Sequence, residues 1–129
     1  MLKTYIKSKI HRATVTDANL DYIGSITIDQ DLMDAVGLEP FELVHVNNLS
    51  NAAHWETYII PGSNGQIVLN GPPSRLFQRG DLVVILGMVQ LSPGETARHK
   101  TVFVDKDNNT LNVVEEIINC GKKSHIIRD

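Results

Sequence analysis

Between Leu82 and Val89 the chain reads LVVILGMV, apolar at odd and even positions alike. Successive side chains of a strand point to opposite faces, so such a strand is covered on both sides and lies centrally in a sheet or barrel. The covering elements are themselves β-favouring runs: Thr4-Tyr5-Ile6, Ala13 to Thr16, Ser25 to Ile28, Leu43 to Val46, Trp55 to Ile60, Ile67 to Leu69, Val102 to Val104 and Leu111 to Val114. Turn residues punctuate them at Asn47-Asn48, Pro61-Gly62, Asn70-Gly71-Pro72-Pro73 and Lys106 to Asn109, the last predicting a hairpin. Two short helices are expected. One starts from an Asp29 N-cap, carries Leu32, Met33 and Val36, and stops at Gly37. The other covers Ser74 to Gln78, before Gly80. Glu115 to Cys120 reads as a further helical piece, and residues 115–129 as a tail with frayed ends.

Leu32 to Val46 and Ser74 to Ile85 repeat one order: short helix, glycine, strand. The echo suggests two similar halves folded together. With this many short strands, a closed barrel is favoured over an open sheet because closure removes exposed edges. At 129 residues the chain holds one core, so residues 1–129 form a single, mainly β domain.

Charge and motifs then narrow the function. A net charge of −3 and six aromatics besides Trp55 offer neither a basic field nor a stacking platform for nucleic acid. Lys122, Lys123 and Arg128 read as solvated ends. No apolar run is long enough to cross a bilayer, and Met1-Leu2-Lys3-Thr4 opens no signal peptide. Cys120 has no partner for an internal disulfide, so the expected compartment is the cytoplasm. GxSxG, Walker A, GxGxxG and HExxH motifs are all missing. The five histidines (His11, His45, His54, His99, His125) show no metal-ligand spacing, and no metal is expected.

What remains is Tyr22-Ile23-Gly24-Ser25, between two β-favouring segments. Glycine lacks a Cβ, so its peptide can adopt strained torsions and its carbonyl is open to attack. A serine on its C-terminal side can attack that carbonyl and move the acyl group from nitrogen to oxygen. The same dipeptide also makes an ordinary turn. Lys9 and His11, two apart, share one side of a strand, with Arg12 on the other. Such a pair serves equally as a solvated face or as part of a site.

The stretch Lys9 to Asp29, KIHRATVTDANLDYIGSITID, closely resembles the N-terminal part of the pyruvoyl-dependent aspartate 1-decarboxylase family. Thr57-Tyr58, Asn70-Gly71 and Gly80-Asp81 before an apolar strand match further, and the resemblance runs to about residue 104. It implies a double-psi β-barrel and a homotetramer with active sites between subunits. It also implies cleavage between Gly24 and Ser25 into chains 1–24 and 25–129, unaided or with a maturation factor. Ser25 would become a covalent pyruvoyl group, replacing pyridoxal phosphate, that forms a Schiff base with L-aspartate. The products would be carbon dioxide and β-alanine, for pantothenate synthesis.

The same resemblance assigns roles. Tyr58 matches the proton donor, Thr57 a group polarising the Gly24 carbonyl and later touching substrate, and Asn70 a cleavage helper at the oxyanion. Lys9 matches a carboxylate contact, and His11 and Tyr22 line the pocket. Two positions depart from the pattern. His54, in Ala53-His54-Trp55-Glu56, stands where the family usually has a carboxylate-gripping arginine; either His54 acts with Lys9 on an altered ligand, or Lys100 or Arg75 substitutes. Pro72-Pro73 stands where Ala-Ala is typical, which removes two backbone donors and leaves that of Gly71. Both departures fall on substrate binding, so a diverged decarboxylase with weak aspartate activity or another amino-acid substrate is one alternative. A non-catalytic barrel binding a small ligand or partner is the other.

Overall fold

The computed structural model describes residues 1–121. Lys122, Lys123, Arg128 and the end of the expected tail lie outside the described residues. The strands are β1 (Lys3–Thr14), β2 (Asp17–Asn19), β3 (Ser25–Asp29), β4 (Leu43–Asn48), β5 (His54–Gly62), β6 (Ile67–Asn70), β7 (Leu82–Leu91), β8 (Thr96–Val104) and β9 (Thr110–Asn119). Helix α1 (Gln30–Val36) joins β3 to β4, and a 3-10 turn, Pro72–Arg75, lies between β6 and β7. The fold is mainly β.

All nine strands form one sheet in the order β2-β6-β3-β5-β4-β7-β1-β8-β9. The apolar strand β7 has a hydrogen-bonded neighbour on each side, β4 and β1, as its two-faced pattern requires. Three pairs are parallel (β1 with β8, β2 with β6, β3 with β5), and parallel pairing needs crossovers rather than hairpins. This mixed arrangement is compatible with a double-psi barrel. The sequence echo also has a structural counterpart: its two helix–strand units end on β4 and β7, which are antiparallel neighbours.

Helix α1 is specified locally. The Asp29 carboxylate accepts from the Asp31 N–H at 2.9 Å, and its second oxygen accepts from the Gly65 N–H at 2.7 Å. Gly37 ends the helix at φ 75°, its N–H bonded to the Met33 carbonyl. Leu32 and Met33 pack into a core with Ile26, Ile28, Val44, Val46, Ile59, Ile85 and Phe77. Each fully buried side chain of this kind contributes roughly 1.5–3 kcal/mol.

Several expectations are corrected. Glu115 to Asn119 is strand, not helix, because Glu115 and Glu116 sit opposite Lys100 and His99 in the antiparallel β8–β9 pair. The second helix is one 3-10 turn beginning at Pro72 rather than a helix over Ser74 to Gln78, since prolines suit a first turn where no N–H is needed. Strand β5 continues through Pro61 and Gly62. Beyond Tyr58 its ladder is with β3 alone, so a residue without an N–H is tolerated there. The segments Thr4 to Ile6 and Ala13-Thr14 belong to one strand, bent by register shifts that include Arg12 at φ 61°.

Candidate active site

Antiparallel pairing sets Ser25, the first residue of β3, directly opposite Asn70, the last of β6. Both are buried. A buried amide must place its protons, and Asn70 places both: Nδ2 donates to Ser25 Oγ and to Thr27 Oγ1, each at 3.0 Å. Ser25 and Thr27 are two apart on one strand face, so a single side chain reaches both. Asn70 therefore orients the serine hydroxyl in the intact chain.

The turn around this pair is backbone against backbone. Gly71 has φ 80°, and a Cβ there would lie 2.8 Å from Gly24 Cα and 2.9 Å from the Tyr22 carbonyl oxygen. The conformational demand expected at Gly24 thus falls on Gly71. Gly24 has no left-handed φ, and a Cβ there would meet only Pro72 Cδ at 3.7 Å and the Asn70 carbonyl at 3.9 Å. The Gly71 N–H donates to the Asn19 carbonyl at 2.7 Å, and the Gly71 carbonyl accepts from the Ser74 hydroxyl at 2.6 Å. The one backbone donor left beside the prolines is therefore engaged. Pro72 is exposed, Pro73 is buried, and Tyr22 is exposed on the other side of the turn.

Thr57 and Tyr58 lie on β5, the parallel neighbour of β3, whose pairing starts at Ile26 opposite Ile59. They face opposite ways. Thr57 is buried opposite Val44, and among the described residues no hydrogen bond joins its hydroxyl to Gly24. Tyr58 faces outward opposite Leu43, its ring stacked on Phe41 at 6.1 Å between centroids. His54 shares that outer face: Nδ1 is 2.6 Å from Asn47 Oδ1 and Nε2 is 3.8 Å from Glu56.

Lys9 and His11 are elsewhere in the sheet. They lie on β1, with β5, β4 and β7 between them and β3 in the strand order. His11 stacks edge-on against Phe103 and lines a cavity of about 340 Å³ with Arg12, Leu82, Phe103 and Leu111. Its Nδ1 is buried with no hydrogen-bond partner. Burial, then the Lys9 and Arg12 cations, push His11 below the ordinary imidazole pKa, which favours the neutral ring. Of the candidate substitutes for the missing arginine, Lys100 lies 3.6 Å from Glu115 and Arg75 is in the 3-10 turn.

Ser25 and the amide that orients it both lie in the chain's first hundred residues, the region over which the chain matches known proteins. A family model described as aspartate decarboxylase matches residues 1–111. The chain belongs to the aspartate decarboxylase family. It is similar to the aspartate 1-decarboxylase of Neisseria meningitidis, at 48% identity over 88% of this chain and 93% of that protein. The Bacillus subtilis aspartate 1-decarboxylase is 51% identical over 86% of this chain and 90% of its own length. That of Desulfitobacterium hafniense is 46% identical over 96% of this chain and all of the relative.

Membership does not account for every contact at the site. Thr27 and Asn19 also belong to the site's contacts. Thr27 had a usable signal, its two-residue spacing from Ser25. Asn19 had none, because β2 is only three residues long and pairs with β6 through tertiary contacts. The spacing of the histidines likewise gave no hint that His45, His54 and Glu56 would meet. They come together because β4 and β5 are antiparallel.

Proposed function

We propose that the chain is a cytoplasmic, self-processing decarboxylase that converts L-aspartate to β-alanine and carbon dioxide, supplying pantothenate synthesis. The observation that carries this reading is the Asn70 amide on Ser25 Oγ, in a turn where Gly71 and Gly24 approach too closely for a side chain at position 71. In the reaction, Ser25 Oγ attacks the Gly24 carbonyl carbon and the Gly24–Ser25 C–N bond breaks. The acyl group moves to oxygen, leaving an ester and a free Ser25 amine. Loss of the Ser25 Cα proton then expels Gly24 as a carboxylate, and hydrolysis releases ammonia. The resulting pyruvoyl group supplies a carbonyl that condenses with an amine and accepts the electrons freed by decarboxylation.

The other residues bind and move protons. Thr57 is assigned to the Gly24 carbonyl and Tyr58 to returning a proton to substrate, with its phenol on the open outer face. Lys9 and His54 are assigned to the substrate carboxylate, with Tyr22, His11, Gly71, Pro72 and Pro73 around it. After cleavage, the 1–24 chain would stay docked, since β1 is held between β7 and β8 and β2 pairs with β6. A homotetramer with sites between subunits accounts for the strand-order separation of Lys9 from Ser25. A maturation factor is an optional addition to this scheme.

The intact mass of the denatured protein tests the reading. The expected result is two chains split after Gly24, the larger lighter by one ammonia than a serine-started chain, with Ser25→Ala uncut. A wild-type chain that stays uncut after long incubation, both alone and with cell extract to supply any maturation factor, overturns self-processing and favours a ligand-binding barrel.

A further inference from the structure

Strands β4 and β5 set His45 opposite Glu56 and Asn47 opposite His54. The alternate residues Val44, Val46 and Thr57 are buried and Trp55 packs against the core, so these four polar side chains form a grid on the outer face. Within it, His45 Nε2 is 3.3 Å from one Glu56 oxygen and His54 Nε2 is 3.8 Å from the other. One ligand atom from each of the three residues falls within 4.8 Å of the others.

The fourth corner decides what the group can do. An amide oxygen only accepts, so the 2.6 Å contact between Asn47 Oδ1 and His54 Nδ1 puts a proton on Nδ1. In the neutral ring, His54 Nε2 then presents a lone pair toward Glu56. A ring lone pair and a carboxylate oxygen facing each other are two donor atoms that one metal ion can bridge. An outer partner that fixes the tautomer in this way is what metal-binding histidines characteristically have.

We infer that His45, His54 and Glu56 form a binding site for a divalent first-row transition metal ion of the zinc class. Nitrogen and carboxylate ligands about 2.1 Å from a tetrahedral zinc are about 3.4 Å apart, and the His45 and His54 nitrogens stand 3.3 Å and 3.8 Å from the two oxygens of Glu56. Two imidazoles with one carboxylate suit zinc, cobalt or nickel better than magnesium or calcium, which prefer all-oxygen sets. Three protein ligands leave a fourth position open to water or an anion. In the single chain the side chains are partly exposed, at 26%, 47% and 53%, so an ion can reach them. Tyr58 follows Glu56 on the same outer face, which puts a bound ion on the side of the sheet that carries the phenol.

Cobalt(II) titration of the chelator-treated full-length protein, read by visible absorption, tests this, with zinc displacement as a second readout. One saturating equivalent per chain is expected, released by zinc. His45→Ala or Glu56→Gln should weaken binding more than tenfold, and Asn47→Ala about tenfold. Because these side chains are outward, the variants should keep wild-type circular dichroism, and Glu56→Gln preserves shape if an alanine variant fails to fold. No saturable binding overturns the site, as does binding unchanged in His45→Ala/Glu56→Gln. The uncut Ser25→Ala chain should bind cobalt equally, so the site stands or falls separately from self-processing.

Discussion

The turn at Ser25 and the outer face at His54 are both built from neighbouring strands, yet they hold their side chains differently. At Ser25 the central groups are buried and bonded: Asn70 spends both amide protons, Gly71 spends its N–H and carbonyl, and the Gly71 and Gly24 backbones lie close. At His54 the groups are partly exposed, and their contacts are with neighbours on the same two strands. A reaction of the chain with itself needs a fixed distance between two of its own atoms. Recognition of a diffusing ligand needs open space and uncommitted donors. In the proposed scheme His54 and Pro72-Pro73, where the sequence departs from its family, bear on the second task, while Gly24, Ser25, Thr57 and Asn70 are assigned to the first.

The sharpest way to break this contrast is Gly71→Ala. Its Cβ would strike Gly24 Cα in a left-handed conformation, so cleavage should be lost, with a stability cost of about 1–3 kcal/mol in a thermal melt. A folded Gly71→Ala chain cut at the wild-type rate would show that the tight turn is irrelevant to processing. Next in size is Tyr58→Phe. It should cleave normally by mass spectrometry yet lose about 100-fold in kcat for aspartate, as expected for removal of a proton donor. Loss of cleavage in this variant would mean that the two regions are not separable.

The smallest effect concerns His11. Its folded pKa lies below the ordinary 6.5, so the fold favours the neutral ring. The associated stability is fully present above that value and is lost as the pH falls through the window beneath it. The wild type should therefore melt progressively lower from pH 7 to pH 5, and His11→Gln should flatten that decline. Equal slopes would show that the buried Nδ1 carries no stability linkage.

How much was legible depended on how local each determinant is. Asp29 and Gly37 bracket α1 because caps are written in adjacent residues. The two-faced β7 announced its central place, whereas Gly24-Ser25 alone read equally as a turn and took its expected chemistry from the family resemblance. Glu115 to Asn119 misled because its strand character comes from pairing with β8 rather than from its own pattern. The prolines were visible, but not that Gly71 had already given its N–H to Asn19. Thr57 and Tyr58 are adjacent in sequence and face opposite sides of the sheet, a consequence of the strand period.

By itself, then, the sequence determined the mainly β character, the first helix and the family, since each resides in neighbouring residues or a contiguous match. Only the tertiary structure decided that Asn70 orients Ser25, that Gly71 braces Gly24, and that His45, His54 and Glu56 converge. Those relations depend on which strands pair and in what register, and pairing is set by burial across the whole sheet rather than by any one stretch of chain.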